Sequence, residues 1–589
     1  MANGKLSKLH PYALSYVTYS SLHPNSSPSL SYLIKNLNKF RTGDLVLLLS
    51  KINLSLTRSE FIASIDFQNT LHSLFFDNYI KGKIDKLRAK DKTQYIFFHR
   101  QQLLYLMKLA ILNCKNDYVI DKWRAQERYI IGRCCLVAND FLGLYKGTEE
   151  DLDKLDKEEK KKILLKEFFP TYEFWISKEL SSEIGRMRII FKHILPTQIN
   201  NPNYLSFDDV FQNAYKISFE NFMYLVFSII ALYLDRRKAI LDDPRSIFIT
   251  TNNFTSGSKI IPESVRSVLT MLSLPLDAYR QNILDFKDEK YSFSFIVFRK
   301  YPLIRYGADS FYCIDLDFLI KKLSDGSFWM INDCLDGTNR AKFHLFWGLL
   351  FEQYIKFIIA NNGLGAVPHF IANPRTAGGE EIADGLLLFT NEIVIMEFKF
   401  ALLTQAAKYT SSYEIFHDEI VNKLEKNTEG NWKGYGQLAN TINRLFGKEG
   451  KTSCEHIDKG KIKIIYPILI TYDNYFNTPL MNQFFNRAFQ ELIDYKNLAE
   501  GLEIKPLILI SIEDFEMSLS FLNSFNGLLQ ERIDFDPQLI VSFSDFLKKR
   551  KSKELRYPKI ILDEYRIFAD EVSDYVFGTK LRKEGSSNP

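Results

Sequence analysis

The chain has 589 residues, 46% of them hydrophobic and 25% charged, with a formal net charge of +5. That composition excludes a disordered or fibrous chain, and the length favours more than one domain. An excess of 76 basic over 71 acidic residues is too slight to indicate a polyanionic partner by itself, so local patches matter more than the sum. The six cysteines (Cys114, Cys134, Cys135, Cys313, Cys334 and Cys454) form no C-x-x-C pair and sit beside no His at zinc-finger spacing. This is a reduced, intracellular pattern rather than a disulfide framework.

The N-terminal "MANGKLSKLHPYALSYVTYSS" lacks the apolar stretch of a signal peptide, and a cytoplasmic protein is expected. Residues 1–290 read mainly as helices, exemplified by "QLLYLMKLAIL" (Gln102–Leu112) and Asn221–Leu234. The apolar run Phe222–Leu234 is too short for a bilayer span and is predicted to be a buried helix, so no membrane partner is expected. Lys81–Lys92, "KGKIDKLRAKDK", is either a solvated helix face or a basic patch, and Glu149–Lys162 reads as an exposed, salt-bridged helix or linker. From Tyr291, "YSFSFIVFRKYPLIRYGADSFYCIDLDFL" alternates like strands, and residues 291–340 are predicted to be a β-rich connecting segment. A helix follows at Ala341–Ala360 and stops at "NNGLG". Short strands come next, then a helical stretch from Gln405 to about Phe446 interrupted by "NTEGNW". Apolar strands follow in Lys461–Asp473 and Lys505–Phe515. Residues 341–520 thus form an expected α/β core with a mixed sheet flanked by helices, and 521–589 a C-terminal helical extension.

The segment "GGEEIADGLLLFTNEIVIMEFKF" (Gly378–Phe400) carries three charges inside apolar strands. Ile382–Thr390 is one predicted strand and Ile393–Phe400 the next, joined by a turn at Asn391-Glu392. Alternation puts Glu397 and Lys399 on one face. A two-residue loop places Asp384 opposite Lys399 and diagonal to Glu397, where same-face neighbours lie within about 7–8 Å. Buried carboxylates need a partner. Two of them beside a Lys indicate a divalent cation with hard oxygen ligands, Mg²⁺ or Mn²⁺ rather than Zn²⁺. Together these are parts for metal-assisted phosphodiester hydrolysis.

"IADG" (Ile382–Gly385) followed by "IMEFK" (Ile395–Lys399) resembles the PD-(D/E)XK, or restriction-endonuclease-like, nuclease superfamily. The resemblance covers roughly residues 340–515. It implies that Asp384 is the first acid of the motif, Glu397 the second and Lys399 its lysine, with Ala383 replacing the Pro. It also implies an acid from the preceding helix, Glu352 in "GLLFEQY", as a third metal ligand with Asp384 and Glu397; Glu380 and Glu381 are alternatives. A Gln on the following helix matches Gln437, although the Tyr that sometimes follows it by four residues is Thr441 here.

The expectation is a Mg²⁺- or Mn²⁺-dependent nuclease acting on nucleic acid, chiefly a DNA endonuclease of prokaryotic anti-phage defence. Residues 1–290, or a partner such as an ATPase or helicase, would control it. The alternatives are a catalytically silent nuclease fold that binds nucleic acid or assembles with partners, and a transposition or recombination subunit. "GKEGKT" (Gly447–Thr452) lacks the first Gly of a P-loop, having Leu445 in that place, and follows a helix rather than a strand.

Overall fold

The computed structural model describes residues 15–578 apart from 57–64, 90–94, 116, 119–122, 144–153, 173, 175–178, 237–239, 241–245, 411 and 449–452. Parts of the runs 81–92, 149–162 and 447–452 singled out above therefore lie outside the described residues.

The N-terminal part is built from helices that include α1 (Thr42–Leu56), α2 (Arg100–Asn113), α3 (Lys157–Tyr172), α4 (Leu180–Arg188) and α5 (Phe219–Arg236). Helix α2 is apolar around nearly its whole circumference, and such a helix is stable only when enclosed. Its buried cations are all engaged. Lys108 donates to the carbonyls of Asp288, Tyr291 and Ser294 at 3.1, 2.6 and 2.7 Å. Arg100 grips Asp315 with two bonds of 2.6 and 2.7 Å. Among the described residues no single helix is long and apolar enough to cross a membrane.

A small four-stranded sheet follows, composed of β1 (Phe248–Ile249), β2 (Ser273–Pro275), β3 (Leu303–Gly307) and β4 (Ser310–Cys313) in the order β1-β4-β3-β2. Two of its strands come from before residue 290, so the connecting segment is knitted into the helical region. The first strand expected in that segment is instead a short helix, α6 (Ile296–Lys300). A strand would turn alternate side chains outward. The compact turn keeps Phe293, Phe295, Val297 and Phe298 all within the core.

Helix α7 (Gly337–Ala360) starts four residues before its predicted position, because the Asp336 carboxylate caps it by accepting from the Asn339 amide at 2.9 Å. The main sheet then assembles from β5 (His369–Ala372), β6 (Gly385–Leu388) and β7 (Glu392–Lys399). After α8 (Gln405–Tyr409), α9 (Tyr413–Leu424) and α10 (Gly434–Phe446) come β8 (Ile464–Thr471), α11 (Met481–Leu492), β9 (Glu503–Ile504), β10 (Ile508–Ser511), α12 (Ile512–Ser518) and, at the end, α13 (Lys559–Phe577). Strand β6 is antiparallel to both of its neighbours, β5 and β7, whereas β8 runs parallel to β7 and also pairs in parallel with β9 and β10. The protein is thus mixed α/β, with open mixed sheets and a large helical N-terminal region.

Strand β7 is central and covered on both faces. Val394, Met396 and Phe398 join a core that runs from Val17 to Val572 and includes α7 and the N-terminal helices. Ile393 and Ile395 enter a second core beneath α9, α10 and α11. One face of the sheet therefore shares its core with the helical region. The C-terminal helix also closes back onto that region: at Gly185 of α4 a Cβ would lie 2.1 Å from the Ile561 carbonyl oxygen of α13, an approach only glycine permits.

One buried ion pair ties the layers together. Arg186 of α4 donates to both Glu516 oxygens, at 2.5 and 2.8 Å, and Tyr354 of α7 donates to the same carboxylate at 2.5 Å. Arg186→Met should destabilise the protein by about 3–5 kcal/mol, because Glu516 is left buried without its cation. Replacing Arg186 and Glu516 together by Met and Leu should recover most of that loss. Urea unfolding of the two variants reads the difference, and equal losses would show that the pair is not coupled.

Candidate active site

The hairpin of β6 and β7 determines where the three charges meet. Gly385 pairs with Met396 and Leu388 with Ile393, and the Phe389 amide closes the turn on the Glu392 carbonyl at 2.9 Å. The turn residues are Thr390 and Asn391, one position earlier than expected. Asp384 is therefore level with Glu397, not with Lys399. The shift leaves the side-chain parity intact, so all three charges share one face as the alternation predicted.

Asp384 lies just before β6, and its Oδ2 accepts the Phe398 amide at 2.7 Å, which locks it against β7. Lys399 Nζ stands 2.8 Å from Glu397 Oε2 and 3.6 Å from Asp384 Oδ2. The Glu397 side chain is wholly enclosed, and neither of its oxygens accepts a hydrogen bond; the contact with Lys399 is an ion pair outside hydrogen-bonding geometry. Burial, and then the Asp384 charge, push the Glu397 carboxyl well above the usual carboxylate range, with Lys399 opposing. Burial alone would lower Lys399, but Glu397 and Asp384 outweigh it and hold the ammonium protonated.

Glu352 sits on α7, which packs on β7. Its carboxyl is pushed up to about 7 by burial and by Asp384, against the opposing pull of Lys356 and Lys399, which places it within electrostatic reach of the cluster. Lys356, one turn further along α7, lies 3.7 Å from Glu352, and its buried Nζ makes no hydrogen bond. The spacing "FEQYIK" carries this neighbour in the sequence, but only the enclosure of α7 makes it part of the site. Gln437 is half-buried on α10 and makes no hydrogen bond to Asp384, Glu397 or Lys399. One turn later Thr441, noted above only as a departure from the motif, donates to the Ile382 carbonyl at 2.6 Å and holds the strand that leads to Asp384. The alternative acids are engaged elsewhere: Glu380 pairs with Arg444 at 2.7 and 2.6 Å, and Glu381 accepts from Asn373 at 2.9 Å.

Among the described residues no group of three or more His, Cys, Asp or Glu is arranged to hold a metal ion. The expected set of Asp384, Glu397 and Glu352 is thus not drawn together as a cage, and Lys399 supplies the cation between the two strand carboxylates. The pair itself fits a hard divalent ion: both side chains are enclosed, both offer oxygen, and Glu397 has two buried acceptors without a donor. No protein-family profile, no characterised protein and no solved structure matches this chain.

The raised carboxyl of Glu352 has a measurable consequence. Its unfolded value is near 4.5 and its folded value about 7, so the folded state binds the extra proton between them and stability falls as pH rises through that window. In EDTA, the wild type should lose up to about 1.4 kcal/mol per pH unit relative to Glu352→Gln between pH 5 and 7. Urea unfolding at several pH values checks this, and parallel curves for the two proteins would contradict it.

Proposed function

We propose that this chain is a metal-dependent nuclease of the restriction-endonuclease-like class, hydrolysing phosphodiester bonds, with DNA as the substrate. The observation that carries this reading is Glu397: an enclosed carboxylate without a hydrogen-bond donor, level with a second carboxylate and beside a lysine. A structural ion pair needs only one carboxylate per cation, so the second acid is explained by chemistry rather than by stability.

In this reading Asp384 and Glu397 hold Mg²⁺ or Mn²⁺, which supplies Lewis-acid polarisation and a lowered water pKa when bound. The Phe398 amide fixes the Asp384 carboxylate, whose remaining lone pairs would be available to a metal ion. Lys399, kept protonated by its two acids, is suited to stabilise charge developing on a phosphate oxygen and to orient the attacking water, not to remove a proton from it. Glu352 adds a third acid once it ionises. The helical region is read as the control element, because it shares its core with one face of the sheet and contacts α7 and α12 through Arg186. Service in prokaryotic anti-phage defence, with an ATPase or helicase as partner, belongs to the same proposal. A second reading, a silent nuclease fold that binds nucleic acid, draws on the absence, among the described residues, of a third acid converging with Asp384 and Glu397.

Alanine at Asp384, Glu397 or Lys399 should reduce Mg²⁺- or Mn²⁺-dependent cleavage of plasmid DNA by about 10²-fold or more, as loss of a group acting in the transition state does. EDTA should abolish the wild-type activity. Circular dichroism and unfolding curves establish that each variant is folded. Wild-type cleavage by the Asp384→Ala/Glu397→Ala double variant would remove the nuclease assignment from this site. DNA binding by the wild type without cleavage in either metal would favour the silent fold.

A further inference from the structure

A second chemistry-bearing feature lies outside the carboxylate site. A cavity of about 1130 Å³ opens between the helical region and the segments that follow β7 and β8. It lies above the range of about 300–1,000 Å³ typical of drug-sized ligand sites. Its walls carry seven basic side chains against four acidic ones, interleaved with aromatic rings that include Trp329, Tyr301 and Phe286. Some of the charge is neutralised in place: Lys300 pairs with Asp333 at 2.8 Å and Lys408 with Asp473 at 3.2 Å. Lys322 is not. Its side chain lines the cavity and only 5% of the residue is exposed, yet among the described residues it makes no side-chain hydrogen bond and no ion pair. Arg305, half-buried and also lining the cavity, makes no side-chain hydrogen bond or ion pair among the described residues either.

Burial of the Lys322 stem strips most of the water from its ammonium, and an anion that reaches it through the cavity replaces what is lost. Burial drags the Lys322 ammonium down to about 8, with Asp333 and Asp325 too distant to form a contact. An acceptor brought in from solution would supply what is missing. A small anion with a flat ring can use both the basic and the aromatic parts of the wall. Phosphate suits the lysine and arginine, and a base suits the exposed face of Trp329, since stacking on aromatic rings is tolerant of base identity.

We propose that this cavity binds a nucleoside phosphate, a mononucleotide or dinucleotide, with its phosphate on Lys322 and Arg305 and its base against Trp329. The site is distinct from the carboxylate cluster and does not depend on the nuclease reading. Its wall includes Leu402, Leu403 and Thr404, which begin three residues after Lys399 at the end of β7.

Calorimetric titration of the full-length protein in EDTA, with ATP and with the dinucleotide pApA as probes, tests it. At least one probe should bind saturably at one site per chain. Lys322→Met should weaken that binding at least tenfold, and Trp329→Ala should weaken it as well. The Asp384→Asn/Glu397→Gln variant should bind as the wild type does, which separates this site from the nuclease centre. Arg305→Ala, on a half-buried position, carries the same test if Lys322→Met fails to fold. The proposal is overturned if neither probe binds, if Lys322→Met and Arg305→Ala leave affinity unchanged, or if affinity is lost in the carboxylate variant. Inorganic phosphate binding as tightly as ATP would overturn the nucleotide assignment.

Discussion

Everything around the candidate site follows from placing a carboxylate with no hydrogen-bond donor in the middle of a sheet. Glu397 is enclosed on a central strand whose two faces feed two different cores. A charge there is tolerated only because the neighbouring positions are arranged for it. Lys399 stands two residues on along the same face, and Asp384 is pinned level with Glu397 by the Phe398 amide. The remaining imbalance is carried by shifted protonation: Glu397 is pushed up, Lys399 is held charged, and Glu352 rises toward neutrality. In the proposed reading, a divalent ion would relieve the repulsion between the two strand acids more fully than the ammonium does.

That poise requires rigidity, and the surrounding packing provides it. Antiparallel pairing on one side of β7 and parallel pairing on the other make it the switch point of the sheet, with no free edge along which to slip. Thr441 secures the approach to Asp384 from α10. On the opposite face, Tyr354 of α7 and Arg186 of α4 converge on Glu516, so the helix that carries Glu352 is clamped to the N-terminal region by one carboxylate. The helical region is consequently not an appendage that can be cut away. Removing it would uncover the α7 surface that belongs to the same core, and leave Glu516 without Arg186.

The same joining of helical region and sheet creates the large basic and aromatic cavity. Its walls come from residues far apart in sequence, such as Lys322, Trp329 and Thr404, and no local pattern brings them together. Lys81–Lys92, the basic run that local composition does reveal, turns out in part to serve packing: Lys83 donates to the Leu22 carbonyl at 2.9 Å and Arg88 to Asn69 at 2.9 Å. Charge density along the chain and charge convergence in space are different quantities, and here they point to different places.

The sequence by itself determined what depends on local periodicity. Strict alternation in "IVIMEFKF" put Glu397 and Lys399 on one face, and the two apolar runs beyond it became the parallel strands β8 and β10. Apolar helices such as Gln102–Leu112 were legible for the same reason. Only the tertiary structure decided the hairpin register, because Thr390-Asn391 and Asn391-Glu392 are both credible two-residue turns and the closing Phe389–Glu392 bond selects between them. It also turned the expected strand near Phe295 into helix, where burying every apolar residue outweighed alternation. Finally, it set Glu352 on a helix packed on β7, where burial and the Asp384 charge raise its carboxyl, while leaving Gln437 without a bond to the cluster; helix packing decides both, and packing is written in no single stretch of chain.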